Sequence, residues 1–126
     1  MNSLYKLFKK NCEIKKSKFY ICDNDKELSR IESLKLVDRI ANLIEKKFNY
    51  KILSQKKIGI LLPRNIYNIA TFLSIWKLNC IVIPLNLSWP EKYLKKVISD
   101  SKPDLLIISK KISQKKINKL VINEKN

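Results

Sequence analysis

The stretch WKLNCIVIPLNLSWP, residues 76–90, decides the fold of this chain. Its first three residues complete a helix, and Asn79 follows where a helix end favours the left-handed backbone that Gly and Asn tolerate. Residues 80–83 are an apolar run without polar alternation, closed by Pro84, as in a parallel strand covered on both faces. The stretch therefore predicts a helix, a buried central strand over residues 80–85, and a second helix after Pro90.

Upstream, a strand and a helix are predicted to lead into this stretch. Residues 58–62 form an apolar run that ends at Pro63, and Asn65 is suited to cap the helix that follows. The 3.6-residue period gives that helix a broad apolar face: Ile66, Ile69, Ala70, Phe72, Leu73, Ile75 and Trp76. Gly59, the only Gly, predicts a close approach between its strand and a helix.

Downstream, the same alternation continues. Residues 91–99 predict a helix with Leu94, Val97 and Ile98 inward, and residues 100–103 end it. Residues 104–109 form another apolar run, and the tail predicts a helix over 113–120 and a short strand at 121–122.

The first part of the chain predicts a short helix over residues 3–12, a strand over 18–22 and a long helix. Ser29 and Glu32 have the spacing of a capping box, which marks the start of the long helix. Its predicted buried stripe consists of Val37, Ile40, Ala41, Ile44 and Phe48. Helices that alternate with apolar runs indicate one α/β unit, a parallel sheet with βαβ crossovers in which runs 58–62, 80–85 and 105–108 are adjacent buried strands.

Composition restricts the function classes. The 126 residues suffice for one domain or part of one, and the net charge of +16 comes from lysines spread over the whole chain. Lys, Ile and Asn are the residues that AT-rich codons favour, so genome bias explains the charge better than a polyanion partner, and a nucleic-acid ligand is not expected.

Three cysteines without C-x-x-C spacing and no His give neither a metal site nor a Cys-His pair. They indicate a reduced, cytoplasmic protein. No apolar run is long enough for a membrane span. Leu4, Leu7 and Phe8 are expected to pack on the domain rather than to bind a membrane surface.

Residues 76–90 resemble the segment LKAGxAYVPLDPxYP of AMP-forming adenylating enzymes, which include nonribosomal peptide synthetase adenylation domains and acyl-CoA synthetases. The matching positions are Lys77, Ile83, Pro84, Leu85, Trp89 and Pro90, while Asn79, Asn86 and Leu87 replace Gly, Asp and Pro. Residues 28–33 are similar to the Leu-Thr-Tyr-x-Glu-Leu motif, although Arg30 and Ser33 depart from it. Residues 90–107 are similar to P-x-x-R-L-x-x-I-L-x-D-S-x-P-x-L-L-I, with Tyr93 in place of the Arg.

The resemblance implies the first section of the large N-terminal domain of such enzymes. It implies ATP and Mg²⁺ as cofactors of the full-length family, held by later motifs such as the phosphate loop T-S-G-T-T-G-x-P-K and by a C-terminal lid. Residues 1–126 contain neither that loop nor the lid, so no catalytic, cofactor-binding or metal residue is assigned. Asp23 and Asp25 are interpreted as turn residues and Asp100 as a helix-ending group.

Three functions remain open at this point. The chain is expected to be a truncated or split acid–AMP ligase, inactive alone, whose partner is the remainder of the enzyme. Trp89-Pro90 and the D-S-x-P ending at residues 100–103 favour the amino-acid-activating branch of the family over the acyl-CoA branch. Alternatively, it is a non-catalytic interaction module that binds a partner through an uncovered sheet edge or helix face. A basic nucleic-acid binder is the least favoured, because Tyr67, Trp76 and Trp89 fall in or beside apolar elements.

Overall fold

A computed structural model describes residues 3–14, 21–109 and 119–122. The helices are α1 (Ser3–Ile14), α2 (Arg30–Lys47), α3 (Ile66–Lys77) and α4 (Glu91–Ser101). The strands are β1 (Ile21–Cys22), β2 (Glu27–Leu28), β3 (Lys57–Leu61), β4 (Ile81–Pro84), β5 (Leu105–Ile108) and β6 (Lys119–Val121).

Strands β3 to β6 form one parallel sheet in the order β4-β3-β5-β6. Ile58 aligns with Val82 on one side and with Leu105 on the other. The α/β class and the adjacency of the three predicted strands are therefore confirmed. β1 and β2 form a separate antiparallel hairpin.

The two faces of the sheet belong to two different apolar clusters. Because side chains alternate along a strand, Ile58, Ile60, Leu105 and Ile107 face α1, α2 and α3, while Leu61, Leu106 and Ile108 face α4. The first cluster includes Val37, Ile40 and Ile44 of α2, as the helical period predicts. The second cluster adds only Leu85 and Ile98 as buried members.

Local signals set the helix ends. The Ser29 hydroxyl accepts from Glu32 N at 3.1 Å and the Glu32 carboxylate accepts from Ser29 N at 3.1 Å, which confirms the capping box. Asn65 caps α3 by accepting from the backbone N–H groups of Tyr67 and Asn68. Asn79 has the predicted left-handed backbone, with φ 61°.

Polar contacts join the three helices on the first face. Lys77 of α3 donates to Asp38 of α2 at 2.6 Å, and its Nζ lies 5.8 Å from the ring centroid of Tyr5 of α1. Arg30, which departs from the family motif, is buried and donates to the carbonyl of Asn11 at 2.9 Å. The predicted packing of the N-terminal helix is confirmed for Phe8, which is buried together with Tyr5, whereas Leu4 and Leu7 are exposed.

One strand prediction is wrong. β4 is an outer strand rather than a central one, and it is not covered on both faces, since Ile81 is 42% exposed and Pro84 is also exposed. The apolar run predicted burial correctly only for its two ends, Cys80 and Leu85. A continuous apolar run does not distinguish a strand with two neighbours from one with a single neighbour.

Other details also need correction. The buried stripe of α3 comprises Ile66, Tyr67, Ala70, Thr71, Ser74 and Ile75. Of the residues predicted to lie on it, Ile69 is exposed and Leu73 is only partly buried. The close approach at Gly59 is made by the side chain of Leu106 in β5, not by a helix. Helix α4 extends to Ser101, two residues beyond its predicted end. Lys119 and Leu120 belong to β6 rather than to the predicted helix, whose other residues, like residues 18–20, lie outside the described residues.

Candidate functional site

The order of the strands creates a cleft at one end of the sheet. β3 is followed by α3 on the first face, and β4 is followed by α4 on the second face. The loops after these two neighbouring parallel strands therefore leave the sheet in opposite directions. A crevice between such loops, outside the carboxyl ends of the strands, is where open α/β sheets bind ligands.

The structure has a cavity of about 740 Å³ at this place, within the range of ligand pockets. Its walls are mainly apolar and come from the ends of β3 and β4, the two loops and α3. The lining residues are Ile60, Leu62, Pro63, Arg64, Asn68, Phe72, Pro84, Leu85, Asn86, Leu87, Ser88 and Trp89. Trp89 packs edge-on against Tyr93 of α4, with ring centroids 5.1 Å apart.

The polar groups of the cleft mainly shape its loops. Asn68 donates to the carbonyl of Leu62 at 3.1 Å, and Asn86 accepts from both the N–H and the hydroxyl of Ser88 at 2.8 Å. Arg64 is exposed and is the one charged side chain in the lining. The lining offers a hydrophobic wall and one cation, but no nucleophile beside a base.

The described residues contain neither a glycine-rich phosphate loop nor a cluster of metal-ligating side chains. A phosphate cradle needs successive free backbone N–H groups, usually from glycines. Gly59 lies inside β3, where an added Cβ would stand 2.7 Å from Leu106 Cδ2. In residues 3–14, 21–109 and 119–122, no group of three or more Cys, Asp or Glu side chains is placed to hold a metal ion.

The carboxylate of Asp23, near the start of α3, has structural partners. Asp23 accepts from the N–H groups of Asp25, Lys26 and Ile66. These hydrogen bonds, led by the one from Asp25, lower the pKa of the Asp23 carboxyl. Asp23 thus forms the predicted turn and also fixes the start of α3, a role that its local sequence did not indicate.

The thiols are free, and two of them are poor nucleophiles. Cys22 is exposed, whereas Cys12 and Cys80 are buried. Burial raises the pKa of Cys80 to about 11 and raises that of Cys12 as well. Since the thiolate is the reactive form, neither buried cysteine is suited to covalent catalysis near neutral pH.

The chain belongs to the AMP-binding enzyme family, whose sequence profile matches residues 8–126. The predicted family resemblance is therefore confirmed. No curated protein matches the chain in sequence. Among the described residues, no helix has the length and apolar character that crossing a membrane requires.

Solved structures of two other proteins share the fold. The structure of Klebsiella oxytoca NpsA in complex with 3-hydroxyanthranilyl-AMSN superposes with a TM-score of 0.80 at 15% sequence identity, over 96% of this chain and 25% of that one. The complex of VinN with L-aspartate superposes with a TM-score of 0.82 at 17% identity, over 94% of this chain and 34% of that one. The chain thus spans a quarter to a third of the length of these structures.

The sequence did not predict the cleft. Its two loops, residues 63–65 and 86–90, each contain a Pro and a helix-capping or turn-forming Asn, which is a recognisable signal for a turn. Their meeting depends on β4 pairing with β3 while α3 and α4 lie on opposite faces. The order of strands in the sheet determines this arrangement, and a single sequence does not reveal that order.

Proposed function

We propose that these 126 residues form part of the scaffold of an acid–AMP ligase, an enzyme that joins a carboxylic acid to AMP at the expense of ATP. Membership of the AMP-binding enzyme family is the observation that carries this proposal. Trp89-Pro90 and the D-S-x-P sequence at residues 100–103 favour an amino acid as the substrate. ATP and Mg²⁺ would bind to parts of the enzyme other than the residues described above.

By itself, the 126-residue chain should not catalyse adenylation. Transfer of the AMP group requires the carboxylate to be held in line with the α-phosphorus and the developing charge to be stabilised. The position of the single Gly inside β3, and the lack of three Cys, Asp or Glu side chains placed to hold a metal ion among the described residues, support this inactivity. The remainder of the fold, on the same chain or on a separate one, would supply a phosphate cradle and a metal site and is the partner that this proposal requires.

Amino-acid-dependent exchange of pyrophosphate into ATP tests the proposal. The purified 126-residue chain should give the rate of a no-protein blank with pooled amino acids and with pooled aryl and fatty acids. A mock preparation from cells without the gene controls for a contaminating ligase. Exchange that depends on the acid and is absent from the mock preparation would refute the proposed inactivity of the chain alone.

An interaction module is the second candidate, and the exposed apolar groups around β4 favour it. Ile81, at the outer edge of the sheet, is 42% exposed, and Leu87, in the cleft, is 51% exposed. Exposed apolar groups at a sheet edge promote association. Pro84 lacks an N–H group, so strand addition at this edge is limited and side-chain packing would dominate.

A salt series distinguishes this module from a nucleic-acid binder. The +16 charge opposes self-association at low salt, and salt screens that repulsion, so light scattering should rise with ionic strength. DNA binding would instead weaken as salt is added. A monomer at every salt concentration would remove the case for a module, and tight salt-sensitive DNA binding would favour the nucleic-acid function.

The three free thiols support a reducing, cytoplasmic location for any of these functions.

A further inference from the structure

A second concave surface lies along α2. Its α2 wall is a single stripe with helical spacing, namely Glu32, Lys35, Leu36, Arg39, Ile40 and Leu43. The hairpin β1–β2, the start of α3 and the strand β6 complete the walls. Two cavities of about 320 and 240 Å³ meet here, since Leu36, Arg39 and Tyr67 line both of them. We call this surface the α2 trough.

The floor of the trough is apolar and well packed. Leu36, Ile66, Tyr67, Leu120 and Ile122 each expose less than a tenth of their surface. Leu43 and Val121 rise beside this floor and are 39% and 45% exposed. The trough therefore presents apolar side chains to a partner on a base that the core holds in position.

The rim of the trough is cationic. Lys26, Lys35 and Arg39 are exposed around the apolar floor, and Glu32 is the single carboxylate. The Glu32 carboxylate already accepts the N–H of Ser29, a hydrogen bond that lowers its pKa. Lys26 Nζ lies 5.6 Å from the ring centroid of Tyr67, which fixes one cation above the floor.

We propose that the α2 trough binds an acidic amphipathic helix of a partner protein. The stripe from Glu32 to Leu43 rises about 17 Å along α2, which matches about three turns of a second helix. Apolar side chains at i, i+3, i+4 and i+7 of that helix would occupy the floor, and its flanking carboxylates would face Lys26, Lys35 and Arg39. This proposal is independent of the ligase function.

The same observations disfavour two other occupants. A second copy of the chain carries the same charge of +16, so its approach to a cationic rim is repulsive. Single-stranded nucleic acid needs exposed aromatic rings for base stacking, but Tyr67, the one aromatic side chain of the trough, is 8% exposed.

Anisotropy of a fluorescent peptide tests the proposal. The probe is a designed peptide of about 15 residues, near the length at which isolated helices begin to hold in water, with Leu at i, i+3, i+4 and i+7 and Glu and Asp elsewhere. A second peptide replaces every Glu and Asp by Gln and Asn. The salt concentration is about 0.1 M, where attraction beyond about 10 Å is screened.

The charge-reversed variant is Lys35→Glu/Arg39→Glu. Its matched control, Lys92→Glu/Lys96→Glu on α4, makes the same change in charge at the same i, i+4 spacing on the opposite face of the sheet. The trough variant should weaken binding of the acidic peptide about tenfold, because two exposed attractions become repulsions. The control variant should weaken it about twofold at most. Lys35→Gln/Arg39→Gln, which introduces no repulsion, should give an intermediate loss if the reversed variant does not fold.

Several results would overturn the proposal. These are no saturable binding, equal binding of the neutral peptide, or equal losses in the trough and control variants. Saturable binding of an oligothymidylate with the same dependence on Lys35 and Arg39 would indicate a nucleic-acid surface instead. Self-association that the trough variant abolishes and the control preserves would indicate a second copy as the occupant.

Discussion

The two faces of the sheet differ in how many of the described residues cover them. On the first face, α1, α2 and α3 form a large cluster with Ile58, Ile60, Leu105 and Ile107. On the second, within the part of the chain that the structure describes, α4 is the one helix that packs on Leu61, Leu106 and Ile108; its only buried residue is Ile98, while Leu94 and Val97 stay partly exposed. Among the described residues, the first face therefore has the larger and more fully buried apolar cluster.

The largest difference should come from the same deletion made on each face. Ile75 of α3 and Ile98 of α4 are 0% and 2% exposed. Ile75→Ala should cost about 4 kcal/mol and Ile98→Ala about 2 kcal/mol, because partly exposed neighbours can close the cavity around Ile98. Urea denaturation of both variants measures the two losses. Equal losses would show that the second face is as rigidly packed as the first.

An addition inside the sheet should have an intermediate effect. Gly59→Ala places a methyl group on the second face, 2.7 Å from Leu106 Cδ2 and 3.4 Å from Leu85 Cδ1. We expect a loss of about 2 kcal/mol from overpacking. In a Leu106→Val background, which removes the clashing atom, the loss of stability caused by Gly59→Ala should fall below about 1 kcal/mol. The difference between the two backgrounds is a coupling free energy of the size found for residues in contact. A loss that is unchanged in that background would place the clash elsewhere.

The smallest effect concerns the residues that end α3 and α4. Asn79 and Lys102 both have left-handed backbones, with φ 61° and φ 49°. Lys102→Gly should stabilise the fold by about 1 kcal/mol, because a Cβ is strained there, and Asn79→Gly by a few tenths at most, because Asn tolerates this conformation. Thermal unfolding of both variants measures the difference. A larger gain at position 79 would contradict this reasoning.

Local signals were the most predictable part of the molecule. The capping box at Ser29, the cap at Asn65 and the left-handed end at Asn79 depend on groups within a few residues, and each was predicted from sequence. The outer position of β4 and the neighbour of Gly59 depend on strand order, which involves residues far apart in the chain. The burial of Thr71 and Ser74 was not predicted, because the helical period was followed through apolar residues only. Their hydroxyls donate to carbonyls of Tyr67, Ala70 and Val37, which satisfies them inside the core.

The two concave surfaces follow the same rule. The α2 stripe from Glu32 to Leu43 can be read from helical spacing, but its opposite walls come from residues about thirty and eighty positions later. The cleft likewise needs two loops more than twenty residues apart. A single sequence therefore predicts the helices and loops that form each site, but not which of them meet in the fold.

Equilibrium binding of Mg²⁺-ATP to the purified 126-residue chain, measured by isothermal titration calorimetry, tests the proposed scaffold role most directly. We expect no saturable heat up to about 1 mM nucleotide, which corresponds to a standard free energy of binding weaker than about −4 kcal/mol. Saturable binding at micromolar ATP, with a nucleotide dependence that GTP does not reproduce, would contradict it and would place an ATP site within these residues.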